Sequence, residues 1–353
     1  MTLSDPTSPD IAALHADAMV VDTHIHAPHF LPRHAWSLYR KIGGPTMPPD
    51  SGLDTLADGG VDGAVVKAVG DAIATWFHPV RRWPAVLHQL DGIRSQAALA
   101  DAQIVLDSKD LAYARQRDRS GVFLGVEGAD MLDGRLDRLD LLHGLGVRVL
   151  GLVHYVDNEI GTVCLQWNTW LRVSIPRPRR VAGLKPFGRQ VIDRCADLGI
   201  VVDLAHADAP TLLAACEHAR RPMLATHTGA RALQDFARYL GDEEIRAIAA
   251  TGGLIGLWPF FIRGAGMADR AAFADHARYL ADLVGPDHLC IGTDANGVPG
   301  FMEGYEGPRH FGQLTETLVD SGFSEQETRR VIGGNFLRVL DVVVDGARPA
   351  GQV

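Results

Sequence analysis

Two histidines one residue apart, His24 and His26, end an apolar run near the start of the chain, in the segment VVDTHIH. Alternate side chains of an extended strand share a face, so Asp22 is expected beside both histidines. Val21 is expected on the opposite face. Two imidazoles at this spacing can hold one metal ion, but an isolated H-x-H pair occurs often by chance.

Five further apolar segments end on an ionisable residue in the same way. Burying a polar group without a partner costs about 2–7 kcal/mol, and burying a charge costs more. A bound cation would satisfy all of these groups, so the pattern predicts a metal site. The segments are FLGVEG, VLGLVH, IVVDLAH, MLATH and LCIGTD, which carry Glu127, His154, His206, His227 and Asp294.

Each of these residues also has a purely structural interpretation. His154 could be a hydrogen-bonded core histidine, Asp294 in TDANG could form a turn, and Glu127 could cap the segment that follows it. Taken together, this interpretation requires six coincidences at equivalent strand ends, and we reject it. The other histidines lack this placement, although His29 and His34 lie in a connection that could reach the site.

The predicted cofactors are two divalent metal ions, with Zn²⁺ favoured and Mn²⁺, Fe²⁺ or Co²⁺ as substitutes, because the donors are imidazoles and a carboxylate. Two ions about 3.5–4 Å apart would generate a hydroxide and polarise a carbonyl oxygen. The sequence therefore predicts hydrolysis of an amide or a related acyl bond. The predicted metal ligands are His24, His26, Glu127, His206 and His227.

A repeated strand-then-helix pattern can bring these residues together. Eight such units favour an α/β fold of the closed (β/α)₈ TIM-barrel class, in which the carboxyl ends of all strands meet at one rim. We expect a leader over residues 1–17, the barrel over 18–343 and a tail over 344–353. Strands are predicted near residues 20–26, 63–69, 121–128, 147–154, 200–206, 223–227, 254–259 and 289–294, and helices over 133–145, over 187–198 and from 242 to the Gly-Gly pair at 252–253.

Three long connections follow strands, over residues 27–49, 71–84 and 155–185, and each carries aromatic side chains. In a barrel they would lie at the carboxyl rim, where binding loops belong. An aromatic packing surface or dimer surface is the alternative interpretation.

Composition narrows the possible partners. The formal charge of −9, from 34 basic and 43 acidic residues, gives no support for binding nucleic acid or an anionic membrane. No G-x-G-x-x-G or phosphate-loop motif is present, and the four cysteines are too dispersed for a C-x-x-C metal site. We expect a small-molecule substrate and, because no signal-like or membrane-spanning run is seen, a cytoplasmic location. A homodimer is one open alternative for the oligomeric state.

Eight segments resemble, in order and spacing, the membrane (renal) dipeptidase family of zinc metallopeptidases within the amidohydrolase superfamily. The resemblance runs from about residue 19 to about residue 343. It implies a (β/α)₈ barrel with a binuclear zinc site that hydrolyses dipeptides, often with a D-residue at the C-terminal position. The segments are DTHIH, LGVEGAD, GLVH, GLKPFG, VVDLAH, ATHTGAR, DHLCIGTDANG and GGNFLRVL.

The resemblance also implies roles for individual metal ligands. Glu127 is similar to the carboxylate that bridges both metals in the family. His24 corresponds to a ligand of the first metal, and His206 and His227 correspond to ligands of the second.

Three further residues match family positions that act on the substrate. His154 is similar to the histidine that contacts the substrate carbonyl and the tetrahedral intermediate. Arg238, eleven residues after His227, corresponds to the arginine that holds the substrate's C-terminal carboxylate. Asp294 is similar to the acid/base that protonates the leaving amine.

The chain departs from the family at His26, because the family's first motif is usually H-x-D. Imidazole in place of a carboxylate removes one negative charge from the first metal site. Because of this change, hydrolysis of another acyl bond, such as that of a lactone or an N-acyl amino acid, is an alternative function. A catalytically weak binding barrel is a third interpretation, against which the presence of Glu127 and Asp294 argues.

Overall fold

Eight parallel strands that pair in chain order form the centre of the protein. The structure is a computed structural model, and it describes residues 10–28, 51–71, 75, 82–168, 173–175, 183–262 and 264–347. The strands are Val21–His26 (β1), Gly63–Val69 (β2), Gly121–Glu127 (β3), Val147–Gly151 (β4), Val201–Asp203 (β5), Leu224–Thr228 (β6), Leu254–Leu257 (β7) and Leu289–Ile291 (β8).

The sheet closes between β1 and the segment that follows β8. The backbone N–H of Asp294 donates to the carbonyl of His24 at 2.8 Å, and that of His26 donates to the carbonyl of Ala295 at 2.9 Å. These bonds join the last strand segment to the first in parallel. The predicted (β/α)₈ barrel is therefore confirmed, with all eight strands close to their predicted positions.

Helices separate the strands and cover the outside of the barrel. They are Ile11–Asp17 (α1), Asp54–Asp58 (α2), Arg82–Leu99 (α3), Ser108–Arg115 (α4), Asp137–Gly144 (α5), Pro186–Leu198 (α6), Ala209–His218 (α7), Asp242–Ala250 (α8), Arg270–Val284 (α9), Gly312–Asp320 (α10), Glu325–Arg329 (α11) and Asn335–Asp345 (α12).

Local sequence explains where α6 begins and ends. Pro186 occupies its first turn, where a missing backbone N–H has no cost, and Gly199 ends it in the left-handed region at φ +79°. Between them Val191, Ile192 and Cys195 form the buried face, as their spacing predicts. Helix α6 thus packs one apolar face on the strands and keeps the other in solvent.

The lower end of the barrel interior is apolar. One residue from each strand contributes to a buried layer, and Phe336, Val339 and Leu340 of α12 pack against it. This layer closes the end of the barrel opposite the predicted site. Its strand residues are Val21, Val65, Phe123, Val149, Val201, Leu224, Leu254 and Cys290.

Strand β1 departs from strict alternation. Val21 joins the lower layer although the histidines three and five residues later also face the interior. The pairing register with β2 shifts between Asp22 and Ile25, and a shift of this kind offsets the alternation. The expected position of Val21 on the face opposite the histidines is therefore wrong, and the Asp22 carboxylate accepts hydrogen bonds from the backbone N–H and the hydroxyl of Thr293.

The predicted connections contain more regular structure than expected. Helix α3 begins at Arg82, inside the second connection, and the third contains an antiparallel hairpin of Gln166–Asn168 and Val173–Ile175. A second hairpin, Phe261–Ile262 with Ala265–Gly266, follows β7, and a two-residue strand, Gln103–Ile104, pairs beside β3. Several predicted loop residues lie outside the described residues, namely His29, Phe30, His34, Trp36, Tyr39, Trp76, Phe77 and Trp170.

No helix within the described ranges has both the length and the apolar character that crossing a bilayer requires. Helix α1 lies within the predicted leader, and the last two residues of α12 lie in the predicted tail. The domain boundaries and the cellular location stay predictions.

Candidate metal centre and active site

The predicted site residues converge at the carboxyl rim of the barrel. Strands β1, β3 and β6 carry four of them directly, and the segments after β4, β5, β6 and β8 carry the other four. All eight are buried, with exposed fractions of 8% or less. They are His24, His26, Glu127, His154, His206, His227, Arg238 and Asp294.

The carboxylate of Glu127 lies at the centre of five imidazoles. Burial alone would raise the pKa of Glu127, but the neighbouring imidazoles of His154 and His24 outweigh it and hold the pKa well below its usual range. The carboxylate is therefore ionised among these rings. The distances from the nearer Glu127 oxygen to Nε2 are 3.2 Å for His26, 3.3 Å for His206, 3.5 Å for His24, 3.5 Å for His154 and 3.8 Å for His227.

Three groups of donor atoms could each hold a metal ion, since the ligand atoms within each group lie within 4.8 Å of one another. The donor set fits a divalent cation, because it combines buried nitrogen and oxygen atoms and Glu127 Oε1 has no hydrogen-bond partner among the described residues. Asp294 and His154 also lie close enough to contribute a donor. The groups are His24, Glu127 and His227; His24, His26 and Asp294; and Glu127, His154 and His206.

The imidazoles differ in protonation. Burial holds the pKa of His206 and His227 well below 6.5, so these rings are neutral, as metal ligands must be. Burial also opposes the charge on His26, but hydrogen bonds from its ring to the carboxylates of Asp294 and Glu127 outweigh it and raise its pKa to about 9. His26 thus lies between two carboxylates, 3.5 Å from Asp294 Oδ1.

Unusual backbone conformations direct two of the side chains into the site. His206 and Asp294 have φ values of +72° and +55°, in the left-handed region that residues other than glycine seldom adopt. Asn296, at φ +66°, fixes the segment after β8, because its side-chain amide donates to the carbonyls of His26 and Ser51. Such strain is typical of functional segments.

His154 has a buried partner that the sequence interpretation missed. The Nδ1 atom of His154 contacts the carboxylate of Asp71, which is completely buried just after β2. Burial opposes the charge on His154, but Glu127 and Asp71 outweigh it and raise the pKa of the ring. Asp71 is an ionisable residue at the end of an apolar strand, so the signal that indicated the other residues was also present there.

Arg238 lies beside the metal-binding donors without a carboxylate partner among the described residues. It is 5% exposed, and its Nη2 atom has no hydrogen-bond partner within the described ranges. The guanidinium carbon is 5.1 Å from the centroid of Trp258, whose ring centroid is 5.2 Å from that of His227. A buried cation in this position favours an anionic group of a ligand. Trp258, whose ring lies next to the Arg238 guanidinium, was not predicted as a site residue.

A parallel (β/α)₈ barrel with buried histidines and carboxylates at its carboxyl rim is the architecture of a metal-dependent hydrolase. The sequence profile of the membrane dipeptidase family (peptidase family M19) matches residues 9–351. The chain belongs to this family, and the resemblance inferred from its motifs is confirmed.

Individual relatives agree with this assignment. Dipeptidase aclJ of Aspergillus oryzae is 30% identical over 234 residues, which are 65% of this chain and 53% of that protein. Dipeptidase 3 of Macaca fascicularis is 26% identical over 332 residues, which are 93% of this chain and 66% of that protein. The chain thus matches about half to two thirds of the length of these relatives.

A solved structure shows the same fold. It is a metallopeptidase from Rhodobacter sphaeroides, liganded with a phosphinate mimic of the dipeptide L-Ala-D-Ala, with a TM-score of 0.75 and 21% sequence identity. The alignment covers 93% of this chain and 100% of that chain.

Proposed function

We propose that the protein is a dipeptidase that uses two divalent metal ions, with Zn²⁺ favoured, and accepts dipeptides with a C-terminal D-residue. The observation that carries the proposal is the Glu127 carboxylate among five imidazoles, with the buried guanidinium of Arg238 nearby, whose Nη2 has no partner among the described residues. Family membership supports the reaction class, and the L-Ala-D-Ala mimic bound by the Rhodobacter sphaeroides metallopeptidase supports the substrate class.

The proposed cofactor would be held by His24, His26, Glu127, His206 and His227. When bound, the two ions would supply a hydroxide near neutral pH and polarise the scissile carbonyl. A carboxylate among the donors could serve both ions, since Glu127 Oε1 lies near His24, His206 and His227 and its Oε2 lies near His26.

Arg238 would orient the substrate. Its guanidinium pairs with the C-terminal carboxylate, and a dipeptide then presents its only peptide bond to the donors near Trp258 and His227. Because the cation is buried, this pairing selects substrates whose carboxylate follows the scissile bond directly.

His154 would stabilise the negative charge of the transition state, and Asp294 would transfer protons. The Asp71 carboxylate accepts from Nδ1 of His154, and Glu127 and Asp71 outweigh burial and raise the pKa of the ring, which favours a second hydrogen on Nε2. Nε2, 3.5 Å from Glu127 Oε2, would then donate a hydrogen bond to the oxygen that gains charge in the transition state. Asp294, held at the rim by its own backbone N–H, accepts a proton from the attacking water and delivers it to the leaving amine.

The second candidate is hydrolysis of another acyl bond, such as that of an N-acyl amino acid or a lactone. Its support is His26, which makes the first metal site less negative than the family's usual carboxylate would. The position and chemistry of Arg238 are compatible with both candidates, because both substrates can carry the anion.

Substrate panels separate the two candidates. Wild-type protein with measured metal content is assayed with L-L and L-D dipeptides, N-acyl amino acids and lactones. We expect kcat/KM to be highest for dipeptides, with about two metal ions bound per chain. Fully metallated protein that turns over no dipeptide contradicts the dipeptidase proposal, and preferential turnover of another acyl substrate supports the second candidate.

A further inference from the structure

A buried polar layer lies between the apolar lower layer and the metal-binding donors. It consists of Lys67 on β2, Asp203 on β5 and Thr226 on β6, all with no exposed surface. Lys67 Nζ contacts Asp203 Oδ2 across the barrel interior. Gly125 provides the space, because a Cβ atom at that position would lie 2.8 Å from Lys67 Cγ.

The direction of each hydrogen bond in this layer is determined by which of its groups carry a hydrogen to donate. The Asp203 carboxylate, paired with the Lys67 ammonium, can only accept hydrogen bonds. Thr226 Oγ1 lies 2.7 Å from Asp203 Oδ2, so its single hydroxyl hydrogen points to Asp203. The remaining lone pairs of Thr226 Oγ1 can then only accept.

Two metal-ligand candidates contact that same oxygen. Nδ1 of His24 and Nδ1 of His227 each lie 3.0 Å from Thr226 Oγ1. Because the oxygen has no hydrogen left to give, both imidazoles must donate from Nδ1. In the neutral rings the Nε2 atoms therefore carry a lone pair and no hydrogen, and they lie 3.5 Å and 3.8 Å from Glu127 Oε1.

The backbone of the same lysine fixes a third ring. Nδ1 of His26 lies 3.0 Å from the carbonyl oxygen of Lys67, and a carbonyl only accepts. Three imidazoles from two strands thus present Nε2 to the site through contacts with one layer.

We propose that Lys67, Asp203 and Thr226 are positioning residues that fix the orientation and Nδ1-protonated tautomer of His24 and His227 before metal binds. The inference rests on the proposed metal centre. One threonine hydroxyl serves a histidine in each half of that centre, so the layer couples the geometry of both halves. If the layer were only a stabilising ion pair, the tautomers and the metal affinity would not depend on the hydroxyl.

The first test is the position of the hydrogens in metal-free wild-type protein, determined by neutron crystallography. We expect hydrogen on Nδ1 of both His24 and His227, and the Thr226 hydroxyl hydrogen directed to Asp203. Hydrogen on Nε2 alone in either histidine overturns the proposal. This result does not depend on whether any variant folds or whether the enzyme turns over a dipeptide.

The second test is Zn²⁺ affinity, measured by competition with a chromophoric chelator. Thr226→Val, which removes the hydroxyl, is expected to weaken Zn²⁺ binding by about 10–100-fold, and Thr226→Ser, which keeps it, to restore binding to within about twofold. Thr211→Val is the matched control, because Thr211 is equally buried and its hydroxyl bonds to the Thr162 carbonyl in a different part of the barrel. Thermal unfolding of the metal-free variants measures the loss of stability separately.

Two outcomes of the affinity test overturn the proposal. One is unchanged Zn²⁺ affinity in Thr226→Val, and the other is an equal loss in Thr211→Val, which would show a general effect of destabilisation. A wild-type protein that binds no divalent ion would contradict the proposed function, while the neutron map would still decide the tautomers.

Discussion

The polar groups of the site fall into two sets that are held in different ways. We call His24, His26 and His227 the inner set and His154, His206 and Arg238 the outer set. The inner rings are 0–2% exposed, and each has a hydrogen-bonded Nδ1. The outer groups are 5–7% exposed, and within the described residues His206 Nδ1 and Arg238 Nη2 have no partner.

The difference indicates a division of tasks. A metal ligand must present one nitrogen in a fixed direction, and the inner rings satisfy this requirement through strand-borne contacts. A group that binds substrate must keep a polar atom unpaired until the substrate arrives, and Arg238 satisfies this second requirement. Damage to the inner set, or to the proposed ligand His206, should therefore affect metal binding, whereas damage to Arg238 or His154 should affect substrate and rate.

The largest effect is expected from the inner set. His227→Ala should lower kcat/KM for dipeptides by on the order of 10³-fold or more and reduce bound metal, because a ligand and the groups it aligns are lost together. His218→Ala is the control, since that histidine pairs with Asp193 on the outside of the barrel. Steady-state kinetics and elemental analysis of the same samples measure both quantities, and wild-type turnover in His227→Ala would refute the site.

Arg238→Met tests the outer set, and its expected effect on kcat/KM is smaller than that of His227→Ala. Leaving one member of a buried charge pair unpaired costs about 2–5 kcal/mol, so kcat/KM should fall about 10²-fold, mainly through KM, while metal content stays unchanged.

A dipeptide amide, which lacks the C-terminal carboxylate, is the matched control substrate for Arg238. Wild-type protein should hydrolyse it poorly, and Arg238→Met should reduce that rate no further. If the variant loses metal, or loses activity equally with both substrates, the two sets are not separate.

Asp71→Asn should lower kcat by about 10–100-fold and leave the metal content unchanged, because the Asp71 carboxylate acts only through His154. Burial opposes the charge on His154, and Glu127 and Asp71 raise its pKa. Activity that requires protonated His154 falls as pH rises through this pKa. Removing the Asp71 charge should therefore move that fall to lower pH, which a kcat profile measures. Asp137→Asn, on the exposed start of α5, is the control, and an unshifted profile in Asp71→Asn would separate Asp71 from His154.

The inner set was predictable from sequence because each member ends an apolar run, and the parallel barrel brings such ends to one rim. Asp71 follows the same rule but begins a long connection, so it was assigned to a loop. Lys67, Asp203 and Thr226 could not be found in this way. Lys67 and Asp203 are 136 residues apart, and only the strand register within a closed barrel places them opposite each other.

The start of α3 at Arg82 and the shifted register of β1 were also beyond sequence patterns. Helix α3 is weakly amphipathic, so its periodicity does not mark the first turn. The register shift in β1 depends on β2 and on the segment after β8, which are distant in sequence. Sequence patterns within one strand or helix were enough to predict that strand or helix. Features that depend on contacts between strands and helices could be seen only in the structure.

The smallest expected effect is a pH-dependent change in the stability of the protein, caused by Asp130 next to the outer set. Asp130 is 4% exposed and accepts a hydrogen bond from Asn158, and burial together with the neighbouring Asp71 carboxylate raises its pKa to about 7. Because the folded-state pKa lies above the ordinary value near 3.8, the folded state binds the proton more tightly. This contribution to stability is present at low pH and is lost as pH rises through about 7.

The side chain in Asp130→Asn is neutral at every pH, so the variant should not lose stability as pH rises through about 7. The Tm of the metal-free variant should exceed that of wild type by on the order of 2–5 °C at pH 8 and match it at pH 4. Asp133→Asn, at an exposed position of the same segment, is the control and should give no pH-dependent difference. The readout is the difference in Tm between variant and wild type, because other carboxylates titrate equally in both. Parallel Tm profiles would mean that Asp130 stays ionised, and the outer set would then tolerate two adjacent buried carboxylates, Asp71 and Asp130, without proton uptake.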